Sequence, residues 1–251
     1  MRRALAALLL MAGCSTGQPP APSPAAPKPL AASACDVATD PSRPQYIVGY
    51  GSLMQDESRK RTSPQAGPAH PVEIEGYRRG WFSRGSSVGF SATFLGVVQD
   101  AESRLNAVIY KVEPQELEAT DRRERSYCRA LLSGSQINPL GPDFPLASDA
   151  QVWIYVSRGP GVELASTRYP IVQSYVDVFL SGCLEQEERF GVAGFAEQCI
   201  ETTSGWSEHW VNDRLYPRRP FIYQPRARDI DRLLAKELPA YFSRIRLEPG
   251  S

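Results

Sequence analysis

The sequence predicts an α+β domain carried behind a non-globular N-terminus. Short β-branched and aromatic runs alternate with segments of helical periodicity over most of the chain. The first 44 residues offer only one apolar run and a stretch dominated by alanine, proline and serine. The full length of 251 residues therefore leaves room for one medium domain plus additions. Lysine plus arginine (28) balances aspartate plus glutamate (28), so the formal net charge is zero and nothing points to nucleic acid. Two histidines and no Cys-x-x-Cys or His-x-x-x-His spacing argue against a dedicated metal site. No later apolar run is long enough to cross a bilayer.

Taken in order, Arg2 and Arg3 precede an apolar run from Ala4 to Met11, then Ala12, Gly13 and Cys14. A basic n-region, a short h-region and small residues before a cysteine resemble a bacterial lipoprotein signal, which implies cleavage leaving Cys14 as a lipidated N-terminus. The alternative is an ordinary secretory peptide cut near Ala34. Ser15 after the cysteine is compatible with outer-membrane sorting. The expectation is a lipid-anchored envelope protein on the periplasmic face of the outer membrane, with residues 1–14 as signal. Residues 15–44, punctuated by Pro19, Pro20, Pro22, Pro24, Pro27 and Pro29, read as an extended tether, and residues 45–251 as the domain.

The domain opens with Tyr46-Ile47-Val48, the composition of a buried strand. It ends in Gly49-Tyr50-Gly51-Ser52-Leu53, where two glycines permit a tight turn whose N–H groups can converge on an anion. The dinucleotide fingerprint fails because its third glycine would fall on Met54, and the nucleophile elbow fails because Ser52 is followed by Leu53 and Met54. Met54 to Arg61 reads as a short helical turn before Pro64. His70 to Arg84 reads as a half-buried strand with a solvated arginine face. Thr93–Val98 and Leu105–Val112 read as a strand pair turned by Asp100–Ser103.

Glu113-Pro114 opens a helix, with Glu116 and Glu118 suited to its positive end. Periodicity puts Leu117, Asp121 and Glu124 on one face, aiming two carboxylates at the interior, while Arg122, Arg123 and Arg125 project elsewhere. Burial raises a carboxylate's pKa towards the range where a general base works best. A structural acid paired to arginine or backbone fits Glu124 equally well on periodicity alone. Tyr127–Leu132 and Val152–Val156 read as strands separated by a proline- and glycine-rich loop from Gly134 to Ser148. A helix starting at Pro170 carries an Ile171, Tyr175, Val178, Phe179 stripe, and another lies around Phe195, Cys199 and Ile200. Trp206 to Phe221, which mixes aromatics with Asn212, Asp213, Arg214, Arg218 and Arg219, reads as an aromatic-pinned surface loop, with a pocket cap or pairing to a substrate carboxylate as the alternative. The last helix, Ile230 to Leu238, is expected to be capped by Asp229.

Three of these motifs carry a resemblance. Tyr50-Gly51-Ser52-Leu53, Gly76-Tyr77-Arg78-Arg79-Gly80-Trp81 and Asp121-Arg122-Arg123-Glu124 with Tyr127 and Arg129 resemble the γ-glutamylcyclotransferase family, over roughly Tyr46 to Val156. Thr120 replaces the leucine usual before the aspartate. The resemblance implies a mixed β-barrel with flanking helices, and conversion of a small γ-glutamyl amine or peptide to 5-oxoproline. It places the catalytic glutamate on Glu124 and the substrate cradle on Tyr50, Gly51, Ser52 and Leu53, with no metal and no organic cofactor. The residues after Ser174 are similar to a C-terminal extension in a bacterial branch of the family. Two other readings stay open: a non-catalytic envelope lipoprotein binding γ-glutamyl or peptidoglycan-derived amides, and a serine hydrolase using Ser52 and His209. Beyond Cys14, four cysteines permit three disulfide pairings, with Cys183–Cys199 the preferred pair. Cys128 is the remaining candidate nucleophile.

Overall fold

The computed structural model describes residues 35, 37–85, 91–142, 144–158, 163–219 and 226–248. Cys14 and residues 15–34 lie outside them. In chain order the elements are β1 (Gln45–Gly49), α1 (Asp56–Lys60), β2 (His70–Gly85), β3 (Ala92–Val112), α2 (Pro114–Arg123), β4 (Tyr127–Leu132), β5 (Ile137–Pro139) and β6 (Gln151–Ser157). They continue with β7 (Ile171–Val172), α3 (Gln173–Phe190), α4 (Phe195–Glu201), β8 (Thr203–Ser204), β9 (Trp210–Asn212), α5 (Ala227–Glu237), α6 (Pro239–Phe242) and β10 (Arg246–Leu247). The class is α+β: one large mixed sheet with helices on its flank.

The long strand β3 organises the sheet. One edge pairs antiparallel with β2 almost end to end. The other edge is shared: β1 takes the C-terminal end, with Gly49 opposite Val108, and β7 takes the N-terminal end, with Ile171 opposite Thr93. β1 is antiparallel to β3 and β7 is parallel to it, so their carboxyl ends point towards each other along that edge. β6 runs parallel to β1 and ends beside it. Three chains thus leave the sheet into one gap. Carboxyl ends of neighbouring strands whose connections diverge leave a crevice that side chains from several loops can reach.

Burial explains the elements. β1 and β6 are buried on both faces, as a continuous apolar run demands. Trp81, Trp153 and Trp210 are among the largest fully buried side chains, and each such burial contributes roughly 1.5–3 kcal/mol or more. Pro114 sits in the first turn of α2, with a reciprocal capping box between Glu113 and Glu116.

Several expectations are corrected. Asp100–Ser103 does not turn the chain; both halves of β3 pair with the same partner. The ladder passes from Glu75–Arg104 to Tyr77–Gln99, so the four residues bulge out opposite Gly76, whose φ is 82°. Arg78 Nε holds Asp100 Oδ2 of that bulge at 3.0 Å. Ile171 belongs to β7 rather than to the following helix, because its backbone bridges β3 and β9. β5 interrupts the expected loop from Gly134 to Ser148, pairing with β2. Arg226, not Asp229, occupies the N-cap position of α5, and Asp229 sits in its first turn.

The tether boundary also moves. Cys35 is disulfide-bonded to Cys128 on β4, Arg129 Nη2 donates to Thr39 Oγ1 at 2.9 Å, and Asp40 N donates to Gln151 Oε1 at 2.7 Å. The described residues before Pro44 are therefore fastened to the β4–β6 edge. A second disulfide joins Cys183 on α3 to Cys199 on α4. No helix among the described residues is long and apolar enough to cross a membrane.

Candidate active site

The gap at the strand ends holds a cavity of about 820 Å³, reached by Ser83 of β2, Ser157 of β6, Tyr175 of α3, Glu124 and Arg219. At its inner end is a niche of about 30 Å³ lined by Tyr50, Gly51, Ser52, Leu53, Leu95, Glu124, Tyr127, Tyr155 and Tyr175. That is space for roughly two water-sized groups. Ser52, Glu124, Tyr127 and Tyr175 line both.

Glu124 is not on the helix face that periodicity suggests. α2 stops at Arg123, and Glu124 is its C-cap residue at φ −94° and ψ 24°. Its N–H still donates to Thr120 O, while its own carbonyl accepts from Tyr127 N at 2.8 Å and starts β4. The last turn therefore swings the carboxylate into the cavity, leaving 16% of the side chain exposed. Burial raises its pKa above the ordinary carboxylate value, against the opposing pull of Arg123 and Arg219. Arg123 Nε lies 3.1 Å from Glu124 Oε1.

Asp121 does not join it. Its Oδ1 accepts from the Tyr155 hydroxyl at 2.7 Å and its Oδ2 from Arg129 Nη1 at 2.7 Å, so it is a structural acid pinning β4 to β6. Arg123, expected to project elsewhere, turns inward instead. Its Nη2 donates to Ser52 Oγ at 3.0 Å and its Nη1 to Ser58 O at 2.7 Å. Leu117 and Thr120 bury the side of α2 that faces the core, which brings the guanidinium of the last turn to the loop.

The Tyr50–Leu53 loop is held from behind by two buried arginines. Arg79 Nη1 donates to Tyr50 O at 3.2 Å; its other donors reach Asn106 O and Oδ1, Cys199 O, Thr202 Oγ1 and Thr203 Oγ1. Arg59 Nη1 donates to Met54 O at 3.2 Å and Leu53 O at 3.4 Å. Burial brings the Arg79 pKa down to about 9. Among the described residues Arg79 makes no ion pair with a carboxylate; carbonyls and hydroxyls satisfy it instead. The expected solvated arginine face fails at Arg79: Arg84 is exposed and Arg78 half-buried, but Arg79 is fully buried. Arg79 shares the inward side of β2 with Tyr77 and Trp81.

On the loop's other side, the glycines allow close approach. A Cβ on Gly51 would stand 3.0 Å from Tyr175 Oη. The Ser52 backbone hydrogen-bonds that hydroxyl, and Gly51 O accepts from Met54 N. Tyr50 itself donates to Tyr155 O at 2.5 Å and Tyr127 to Leu95 O at 2.9 Å. Gly182 of α3 abuts the backbone of Met54 and Gln55 without room for a Cβ.

The sequence reading places Arg219 at the site only in its less favoured pocket-cap alternative, and puts Tyr175 in a core stripe. The segment from 206 to 221 is not only a surface loop as far as it is described. Trp206 and Trp210 stack at 5.2 Å against the core, and β9 lies within the segment. Asp213 accepts from Ser174 N, Ser174 Oγ and Arg218 N, and so fastens the chain just before Arg219. The Arg219 guanidinium lies 4.5 Å from the Phe94 ring centroid and 5.5 Å from that of Tyr175. The local pattern of aromatics and arginines allows a pocket cap, but tertiary contacts alone decide which arginine reaches the cavity.

Two alternatives lose their geometry. His209 lines neither cavity; its Nδ1 lies 3.4 Å from Thr167 Oγ1, while Ser52 Oγ faces Arg123. Cys128 has no thiol, being disulfide-bonded. Among the described residues no group of three or more His, Cys, Asp or Glu could hold a metal ion.

No family model matches the chain, and no curated protein matches it. Among solved structures, a gamma-glutamyl cyclotransferase aligns at a TM-score of 0.48 and 12% identity, over 64% of this chain and 88% of that one. YkqA from Bacillus subtilis aligns at 0.42 and 16%, over 63% of this chain and 53% of its own. A yeast gamma-glutamyl cyclotransferase specific to glutathione aligns at 0.36 and 12%, over 63% of this chain and 97% of that one.

Proposed function

We propose that this protein is a γ-glutamylcyclotransferase, converting a γ-glutamyl amine or peptide to 5-oxoproline and the free amine. The observation that carries the reading is Glu124: a carboxylate at the junction of niche and outer cavity, its pKa raised by burial. The substrate's α-amino group, mostly protonated at neutral pH, must lose a proton before it can attack. Glu124 takes that proton. The amine nitrogen then bonds to the γ-carbonyl carbon of the same molecule, and being intramolecular, this step escapes most of the entropic cost of bringing two reactants together. The carbonyl oxygen becomes an oxyanion within the niche. The attacking nitrogen, still bearing two hydrogens, is cationic once bonded. As the old C–N bond breaks, Glu124 gives its proton to the departing nitrogen, then takes the second proton from the ring nitrogen and passes it to the released amine. The lactam keeps one N–H, the amine leaves as an ammonium, and atoms and charge balance with no cofactor consumed.

The loop's role is supportive. Tyr175 Oη accepts from the Ser52 amide, and an accepting hydroxyl still has its own proton to donate to an oxyanion. With the Tyr50 carbonyl drawn back to Arg79, the trans peptide turns the Gly51 N–H the opposite way. Two disulfides support the companion reading, export to an oxidising compartment with a lipid anchor at Cys14. The test is 5-oxoproline release from a panel of γ-glutamyl peptides by wild type and Glu124→Gln. Release by wild type that the variant lacks is expected. Ligand binding without release by wild type would leave a binding protein instead, and full activity in the variant would remove Glu124 from the chemistry.

A further inference from the structure

Among the described residues the outer cavity is lined by Arg84, Arg123, Arg125, Arg158 and Arg219, against two carboxylates, Glu124 and Glu163. A chain with zero formal net charge has thus gathered a strong local excess of cation in one crevice. These arginines come from the end of β2, the end of α2, the residue after β6 and the C-terminal segment, so no single amphipathic face explains them. Arg123 is committed to Ser52, Ser58 and Glu124 at the inner end. The other four surround the part of the cavity that lies beyond the niche.

Three of the four are steered there. Arg158 Nε donates to Tyr127 O at 2.5 Å, fixing the guanidinium next to a tyrosine of the niche. Arg84 stacks on Tyr169 at 5.0 Å and donates to Leu164 O at 3.0 Å, with Glu163 at 3.8 Å. Arg219 lies over Phe94, carried by the Asp213–Ser174 anchor. Burial lowers the Arg219 pKa, with Arg123 adding to it against the opposing pull of Tyr175, Tyr127 and Glu124. Aromatic rings with convergent guanidiniums suit planar carboxylates.

Resting on the cyclotransferase reading, we propose that the outer chamber is a subsite for an acidic leaving group: the amine released carries side-chain carboxylate beyond that of an ordinary peptide terminus. Arg84, Arg125, Arg158 and Arg219 are its specificity-determining residues. The probes are γ-glutamylglutamate and γ-glutamylglutamine, nearly isosteric and differing by one charge. Wild type should favour the glutamate compound by about tenfold or more in kcat/KM, the size of one charge-assisted hydrogen bond. The preference should shrink as salt rises, and also in Arg158→Gln and Arg219→Gln. A second arm measures binding of the same two compounds to Glu124→Gln by calorimetry. Turnover of both compounds at equal kcat/KM would overturn the acidic subsite while leaving the reaction standing. Absence of turnover with charge-dependent binding retained would do the reverse. A preference unchanged in both arginine variants would also overturn the assignment.

Discussion

The niche and the outer chamber share one cavity but are built in opposite ways. In the niche, nearly every polar group is already spoken for by the protein: Tyr50 by Tyr155 O, Tyr127 by Leu95 O, Tyr155 by Asp121, and the loop carbonyls by Arg59 and Arg79. In the chamber, the cations stand on strand ends and on a late segment, and Arg125 is exposed. A fully bonded wall cannot reorganise when charge develops beside it, whereas side chains on element ends can be exchanged without touching the core. On the proposed reading the difference separates chemistry from selection: the niche would handle the reacting atoms and the chamber would choose the leaving group.

Removing the niche's one carboxylate should break this division most severely. Glu124→Gln should lower kcat by roughly 10²–10⁴-fold, the usual scale for a general acid–base group, measured as 5-oxoproline release. In wild type the rate should rise with pH through a pKa above the ordinary carboxylate range, because burial dominates there. The same shift has a sign for stability. A raised native pKa means that the folded state binds more protons than the unfolded state, so this group's contribution falls as pH rises from the ordinary carboxylate value to the raised one. Glu124→Gln deletes that slope. Thermal melts of the two proteins should therefore separate in the variant's favour as pH climbs through that window.

Next in size is the support behind the loop. Arg79→Lys keeps a positive charge but loses the planar fork that serves six acceptors, costing on the order of 3 kcal/mol in urea unfolding. Activity should fall with it, because Tyr50 O loses its donor. Gly182→Ala attacks the same loop from α3, where a Cβ would stand 2.5 Å from Gln55 N and 2.7 Å from the Met54 carbonyl carbon. Backbone cannot rotate away as a side chain can, so a loss of about 1–3 kcal/mol is expected. If either variant abolishes the preference for an acidic leaving group while kcat on a neutral substrate survives, the two regions are not separable.

What the sequence made legible follows from which signals are local. The strand Tyr46–Val48, the Glu113-Pro114 start of α2 and the reversal at Gly49–Leu53 depend on neighbours in sequence, and the fold uses them as written. Glu124 was legible as a candidate although its helix face was not, because a C-cap lies one residue beyond the point where periodicity ceases to hold. Arg79 was legible in principle: Tyr77, Arg79 and Trp81 alternate on one face of β2, and two of the three are plainly apolar. The charge obscured it, since an arginine without a nearby acid reads as solvated. Arg219 was legible only as part of the less favoured pocket-cap alternative, and Tyr175 only as a core residue. Their meeting depends on Asp213 reaching the start of α3, a contact across 39 residues.

The smallest predicted effect probes the border between the two regions. Ser52 lines both, and its hydroxyl accepts from Arg123 Nη2 while its backbone hydrogen-bonds Tyr175. Ser52→Ala deletes only the first of these bonds. Arg123 keeps Ser58 O and Ser58 Oγ as acceptors and keeps Glu124 at 3.1 Å, so its guanidinium should remain in place. The main chain that orients Tyr175 is untouched. The expected loss is within about tenfold in kcat/KM, the scale of a single hydrogen bond that is partly replaced by water. A loss matching that of Glu124→Gln would mean that the hydroxyl itself takes part in bond making, and the border would then belong to the chemistry. A loss confined to acidic substrates would instead move Arg123 into the chamber's set of selecting cations.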